Sequence, residues 1–77
     1  MMKVKVKAYS IFTEKVREGV FEVDDGLTVK DLIEILLGGL EYRGISPVVF
    51  VNKEKADLNR VLKDGDEVLL TPPFSGG

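Results

Sequence analysis

The stretch Glu67-Val68-Leu69-Leu70-Thr71, near the end of this chain, decides the predicted fold. It follows turn-forming residues at 63–66, and its apolar, partly β-branched character predicts a strand. Because this strand is so apolar, we expect it to lie in the middle of a sheet, parallel to the first strand. The chain has 77 residues, which is the size of one small domain.

Residues 3–9 predict that first strand, because lysines alternate strictly with apolar residues. The alternation puts three apolar side chains on the inner face: Val4, Val6 and Ala8. The three lysines and Tyr9 fall on the outer face. A solvated sheet face explains the lysine stripe more simply than an anionic partner does.

A second short strand is predicted at residues 19–23, as the antiparallel neighbour of the first, with Phe21 and Val23 inward. Residues 10–18 are interpreted as a loop with three apolar residues that cover one end of the core. These are Ile11, Phe12 and Val16. Residues 24–26, Asp-Asp-Gly, predict a turn.

One main helix is predicted to start at Thr28, whose hydroxyl can cap it, with Asp31 completing a capping box. Five apolar residues follow at helical spacing: Val29, Leu32, Ile33, Leu36 and Leu37. Gly38-Gly39 ends the helix. The glycine pair follows a helix rather than opening one, which argues against a phosphate-binding loop.

A third strand is predicted at residues 47–51, with Pro47 at its start or on an edge. The loop before it is expected to cover the core with Leu40, Tyr42 or Ile45. Residues 52–57 suit a turn with a very short edge strand. One helical turn is predicted from three apolar residues: Leu58, Val61 and Leu62. Together these elements predict an α+β fold, a mixed four- to five-stranded sheet with one main helix packed on one face.

The composition excludes several classes of function. There is no cysteine and no histidine, so the usual thiol nucleophile, imidazole base and thiolate metal site are missing. A net charge of −2 without a basic cluster argues against nucleic acid. No long apolar run or signal peptide is visible, so we expect a cytoplasmic protein that spans no membrane and does not catalyse alone.

The last six residues, Pro72-Pro73-Phe74-Ser75-Gly76-Gly77, are predicted to form a flexible tail behind a domain at residues 1–71. The prolines stiffen the exit from the last strand, and the glycines fit narrow spaces. A frayed terminus or a cloning remnant is the alternative interpretation. If the chain takes part in chemistry, the carboxylate of Gly77 is the leading candidate group.

The order of the elements is that of the β-grasp, or ubiquitin-like, fold. Within it, Asp64-Gly65-Asp66-Glu67-Val68 followed by the 72–77 tail resembles the C-terminal signature of MoaD/ThiS-like sulfur carriers, of the molybdopterin synthase small subunit type. The likeness also covers residues 13–18, the helix capped by Thr28, and Val51-Asn52 at the end of the third strand.

The resemblance implies that Gly77, with Gly76 before it, is the catalytic site. A MoeB/ThiF-like activating enzyme would adenylate Gly77 with ATP and Mg²⁺ that it binds itself, and a sulfur donor would then leave a thiocarboxylate. No cofactor or metal is expected on this chain. The resemblance also implies that this chain has a docking face that binds the large subunit of molybdopterin synthase or another acceptor enzyme. Val48 is a further candidate residue of this docking face. Its residues are Tyr9, Phe50, Leu69, Pro72, Pro73, Phe74 and Ser75.

Other functions within the fold stay open. The order Pro-Pro-apolar-x-Gly-Gly resembles the molybdopterin branch of the family more than the thiazole branch, so molybdopterin synthesis is favoured over thiamine. Sulfur transfer to tRNA stays open, because the Urm-type carriers have similar tails. Conjugation to lysines is a further alternative, although ubiquitin carries arginines before its glycines and this chain does not. A β-grasp module that binds partners without covalent chemistry is the alternative from a different class.

Overall fold

The computed structural model describes residues 1–73, and residues 74–77 lie outside them. Five strands form one sheet in the order β2-β1-β5-β3-β4. The pair β1–β5 is parallel, and the pairs β1–β2, β3–β5 and β3–β4 are antiparallel. The strands are β1 Met2–Ala8, β2 Gly19–Val23, β3 Val48–Val51, β4 Glu54–Ala56 and β5 Glu67–Thr71; the α-helix is α1 Val29–Leu37. The predicted α+β architecture, with β5 in the middle, is confirmed.

The core lies between the sheet and α1. The inner face of β1 is buried as the alternation predicted, with Val6 fully buried and its lysines turned outward. Val68 and Leu70 of β5 are also fully buried, because they lie at the centre of the same face. Val23 is buried and Phe21 packs against the core, as predicted for β2.

The helix begins where its local signals placed it. The Asp31 amide donates to Thr28 Oγ1 at 3.2 Å, and the Thr28 amide donates to Asp31 Oδ2 at 3.1 Å, which completes the capping box. These bonds with Thr28 hold the pKa of Asp31 below its ordinary value. Gly38 ends the helix with a φ of 77°.

The predicted helical turn at residues 58–62 is wrong. The segment instead follows the start of α1, where the Val29 amide donates to the Arg60 carbonyl at 2.9 Å and the Lys30 amide donates to the Leu58 carbonyl at 3.0 Å. The first-turn amides of a helix lack partners within the helix, and these carbonyls supply them. Leu62 is buried, whereas Leu58 and Val61 are exposed.

The β3–β4 hairpin turns at Asn52 and Lys53, which both have positive φ, 52° and 72°. The Asn52 side chain donates to Asp66 Oδ1 at 2.9 Å and accepts from the Glu67 amide at 2.9 Å. Asp66 is buried, and its other carboxylate oxygen accepts from the Lys63 amide at 2.8 Å. The turn before β5 is therefore tied to the hairpin by side-chain bonds.

The predicted loop at residues 10–18 contains a short 3-10 helix, Ser10–Glu14, and its apolar residues cover the core as expected. In the loop before β3, Tyr42 and Ile45 pack against the core, whereas Leu40 is 37% exposed. The regular strand β5 ends at Thr71, next to the predicted boundary between domain and tail, and that boundary stays a prediction. No helix among residues 1–73 is long and apolar enough to cross a membrane.

Candidate functional site

The central strand β5 carries the chain to the predicted site. Thr71, the last residue of β5, pairs with Val48 of the neighbouring strand β3 and is only 4% exposed. The point from which the tail leaves is therefore held firmly in the sheet. Pro72 is partly buried and Pro73 is exposed. The other predicted tail residues, Phe74, Ser75, Gly76 and Gly77, lie outside the described residues, so their roles stay predictions.

The structure brings together the predicted docking residues of the sheet. Leu69 lies opposite Phe50 in the β3–β5 register, and the Tyr9 amide donates to the Leu70 carbonyl at 2.9 Å, which fixes Tyr9 beside β5. Phe50 and Leu69 are partly exposed, and Tyr9 is 56% exposed. They line one depression of about 320 Å³ on the outer face of the sheet. Val48 does not line it, although it lies on the same face.

Sequence reasoning missed three other residues that line this depression: Lys53, Glu67 and Thr71. Strand parity was the available signal for two of them, because positions 67, 69 and 71 of one strand share a face. Lys53 could not be placed from parity, since it lies in the hairpin turn. The depression thus has an apolar base with one cation and one carboxylate among its lining residues.

A polar cluster lies beside the 3-10 helix, which packs against β5. The Tyr42 hydroxyl and the Arg43 guanidinium both donate to Glu14 Oε1 at 3.1 Å. Burial, together with the hydrogen bond to Glu14, raises the pKa of Tyr42. Arg43 and Gly44 both have positive φ and form a tight turn between Tyr42 and Ile45. Sequence reasoning missed this turn, although a residue followed by glycine between two apolar residues, as in Tyr-Arg-Gly-Ile, is a signal for it.

A second, wider depression lies on the helix side of the sheet and contains none of the predicted site residues. Its volume is about 710 Å³, and it is lined by Ile33, Gly39, Leu40, Glu41, Ser46, Pro47 and Leu58. Within residues 1–73 no group of acidic side chains is arranged to hold a metal ion. The outer-face depression, beside the exit of the tail, is therefore the better candidate for a functional surface.

Comparison with known proteins gives consistent results. The family model for the ThiS family matches residues 9–77 of this chain. A curated relative, the molybdopterin synthase sulfur carrier subunit of Chlamydomonas reinhardtii, is 34% identical over 83 residues. That match covers 99% of this chain and 100% of the relative.

Two solved structures extend the similarity to the fold. The first is small archaeal modifier protein 1 from Haloferax volcanii, with a TM-score of 0.74, 31% identity, and coverage of 97% of this chain and 99% of that one. The second comes from the complex of subunits 1 and 2 of molybdopterin-converting factor from Helicobacter pylori. It has a TM-score of 0.62 and 32% identity and covers 99% of this chain and 100% of that one. These neighbours bear out the predicted β-grasp fold.

Proposed function

Because this chain belongs to the ThiS family of sulfur carriers, we propose that its C-terminal glycine, Gly77, is adenylated by a partner enzyme and converted to a thiocarboxylate. The sulfur is then donated in molybdopterin biosynthesis. One observation carries the proposal: the family match runs through the Gly-Gly end of a tail that leaves the central strand β5. The Chlamydomonas relative, a molybdopterin synthase sulfur carrier subunit, supports the choice of pathway.

The first step activates a poor electrophile. A carboxylate carries negative charge and would have to expel oxide, so it resists attack by a nucleophile. An oxygen of the Gly77 carboxylate attacks the α-phosphorus of ATP, a new P–O bond forms, and pyrophosphate leaves. The partner enzyme binds the ATP and its Mg²⁺, and this chain supplies the acyl group alone.

The second step exchanges oxygen for sulfur. Hydrosulfide, or sulfur delivered at the same oxidation state by a donor protein, attacks the acyl carbon of the adenylate. The C–O bond to phosphate breaks, AMP leaves with the former carboxylate oxygen, and the thiocarboxylate remains. Because this chain has no cysteine, the sulfur comes from another molecule.

The tail sequence suits this role. Glycine lacks a Cβ and adopts backbone angles that other residues resist, so Gly76 and Gly77 fit a narrow channel in an activating enzyme and again in an acceptor enzyme. Prolines 72 and 73 fix their φ angles and favour an extended exit from β5. The need for ATP suggests that the reaction takes place in the cytoplasm.

The outer-face depression is proposed as the docking surface for both partners, with Phe74, Ser75 and the two prolines completing the contact. Partly exposed apolar residues grouped on one face favour association with another protein. The large subunit of molybdopterin synthase is the proposed acceptor partner. The Helicobacter neighbour supports it, since that protein was solved in complex with subunit 2 of its converting factor.

A second candidate function is covalent attachment to other proteins. The Haloferax neighbour, named a small archaeal modifier protein, favours it. The same acyl-adenylate would be attacked by a lysine amine instead of a sulfur nucleophile, with AMP again leaving. Tryptic digests of the source cells would reveal this activity as modified lysines that carry residues 64–77 of this chain, because Lys63 is its last tryptic site.

Intact-mass measurement tests the proposal. The chain is incubated with the activating enzyme of its own source, ATP, Mg²⁺ and sulfide. We expect the mass to rise by the difference between sulfur and oxygen. A variant that lacks Gly77 is the matched control, and it should keep its melting temperature and gain no sulfur, since β5 ends at Thr71. An unchanged mass of the wild type, with an enzyme that adenylates a known carrier, would refute the proposal.

A deletion strain identifies the pathway. We expect loss of molybdoenzyme activity, with thiamine synthesis and tRNA thiolation retained, and restoration by the wild-type gene. Loss of one of the other two products instead would assign the carrier to that pathway. Full complementation by the gene without its last glycine codon would favour a binding module with an inert tail.

A further inference from the structure

A row of four side chains crosses the outer face of the sheet. Lys7 of β1 lies opposite Leu69 of β5, Leu69 lies opposite Phe50 of β3, and Phe50 lies opposite Lys55 of β4. Neighbouring strands are about 4.8 Å apart, so three steps separate the two lysine positions by roughly 14 Å. An apolar pair therefore lies between two cations across the whole width of the docking surface.

Lys7 of β1 and Lys55 of β4 differ in their cross-strand partners from the two remaining lysines of β1. Lys3 lies opposite Glu22 in the β1–β2 register, and Lys5 lies opposite Glu67 in the β1–β5 register. Cross-strand neighbours interact, so those two lysines have an acid beside them. The row partners of Lys7 and Lys55 on β5 and β3 are apolar.

Two carboxylates lie near the row, those of Glu67, which lines the depression, and of Glu18. Within residues 1–73 the ion pairs are Met1 with Asp25 and Arg43 with Glu14, and neither involves a lysine. The carboxylate of Glu18, the acidic residue just before β2, accepts from the Ala8 amide at 2.9 Å. A chain with a net charge of −2 thus presents cations at both sides of its apolar docking surface.

We propose that this surface recognises the adenylating enzyme through carboxylates on both sides of an apolar contact patch, one set facing Lys7 and the other facing Lys55 and Lys53. The inference rests on the proposed function for the identity of the partner. The observation that carries it is the order lysine, leucine, phenylalanine, lysine across four strands. An anionic membrane is a poorer match, because Glu67 is also among the residues that line the depression.

The lysines are expected to act on association rather than on chemistry. Charges at the rim of an interface steer the encounter and are screened by salt, whereas the apolar centre supplies contact that salt does not weaken. The reacting carboxylate belongs to Gly77, which lies six residues beyond the strand β5. Loss of the rim cations should therefore raise KM for the carrier and leave kcat unchanged.

A charge-reversal experiment tests the inference. The variant Lys7→Glu/Lys55→Glu is compared with Lys30→Glu/Lys15→Glu, which makes the same change of charge at exposed positions outside the sheet. We expect KM for thiocarboxylate formation to rise about 5- to 20-fold at low salt for the first variant and less than about 2-fold for the control. At 0.5 M NaCl the ratio of the two variants' KM values should approach one, because salt screens the charges. The screening length is about 8 Å at 0.15 M and 3 Å at 1 M, so at 0.5 M it lies between these values.

Binding without ATP separates this inference from the proposed function. Calorimetric titration of the carrier into the activating enzyme needs no sulfur transfer. Salt-sensitive binding that the first variant loses, in a system where the wild type forms no thiocarboxylate, would support the surface and refute the chemistry. Equal affinity of the two variants, or absence of wild-type binding at low salt, would overturn the inference. Wild-type cosedimentation with phosphatidylglycerol vesicles, without affinity for the enzyme, would also overturn it.

Discussion

Removing the carboxylate of Asp66 should destabilise the domain far more than its position in a surface turn suggests. Asp66 is 7% exposed, and its two oxygens accept from the Asn52 side chain at 2.9 Å and from the Lys63 amide at 2.8 Å. Hydrogen bonds to charged groups contribute about 1.5–3 kcal/mol each. Asn52 and Lys63 are exposed, so water can partly replace the lost partner, and we expect a net loss of about 2–4 kcal/mol for Asp66→Ala.

Thermal unfolding followed by circular dichroism measures this loss. In a domain of this size 1 kcal/mol lowers the melting temperature by about 4–8 °C, so a loss of about 2–4 kcal/mol should lower it by roughly 8–32 °C. Asp66→Asn should lie between wild type and Asp66→Ala, because an amide keeps one acceptor and turns an NH₂ group toward the other donor.

The matched control is Asp64→Ala in the same turn. Asp64 accepts one bond, from the Lys3 amide at 2.7 Å, at an exposed site. We expect its loss to lower stability by about 0.5–1.5 kcal/mol. Equal melting temperatures for Asp66→Ala and Asp64→Ala would refute the view that the buried carboxylate ties the hairpin to β5.

Three further predictions concern the fold. The pKa of Asp31 in the folded state is lowered below its ordinary value of 3.8. Its carboxylate therefore contributes to stability above pH 3.8, and this contribution is lost as the pH falls through the folded-state pKa. The urea midpoints of wild type and Asp31→Asn should converge at acid pH, and a difference in midpoint that does not depend on pH would contradict this. Gly65 has a φ of 88° and open space around it, so Gly65→Ala should cost about 1–2 kcal/mol through backbone strain, whereas Gly39→Ala, without a positive φ, should cost little; equal chemical-denaturation midpoints would refute the role of φ. Leu62 is 2% exposed and Val61 is 51% exposed, so Leu62→Ala should lower the free energy of unfolding by about 2–5 kcal/mol and Val61→Ala by under about 1 kcal/mol. Similar losses would contradict this placement of the two side chains and favour the helical turn predicted from the sequence.

Local signals made the helix and the first strand predictable. Thr28 and Asp31 cap each other within four residues of chain, and the alternation along β1 needs no knowledge of distant residues. The segment from Leu58 to Leu62 could not be read in this way. Its carbonyls bond the first amides of α1, and a contact between distant parts of the chain overrides the apolar spacing.

The residues of the proposed docking surface were only partly predictable for a related reason. Every residue from Pro47 to Val51 is apolar, so alternation cannot tell which side chains of β3 face outward. Pairing with Leu69 of β5 places Phe50 on the outer face. The lysine row became visible only through the registers of three strand pairs, since Lys7 and Lys55 lie far apart in the sequence.

The parallel pairing of β1 with β5 joins the two ends of the sequence, and this has a consequence for folding order. The Lys3 amide bonds Asp64 across 61 positions of chain, and contacts of such long range form slowly. The middle of the sheet stays empty until β5 has been synthesised and inserted. A stalled or clipped chain therefore lacks both a closed core and the tail, so display of the tail from an anchored Thr71 reports that the domain is complete. Under the proposed function, a partner that docks on β1, β5 and β3 together would select folded carriers before ATP is used.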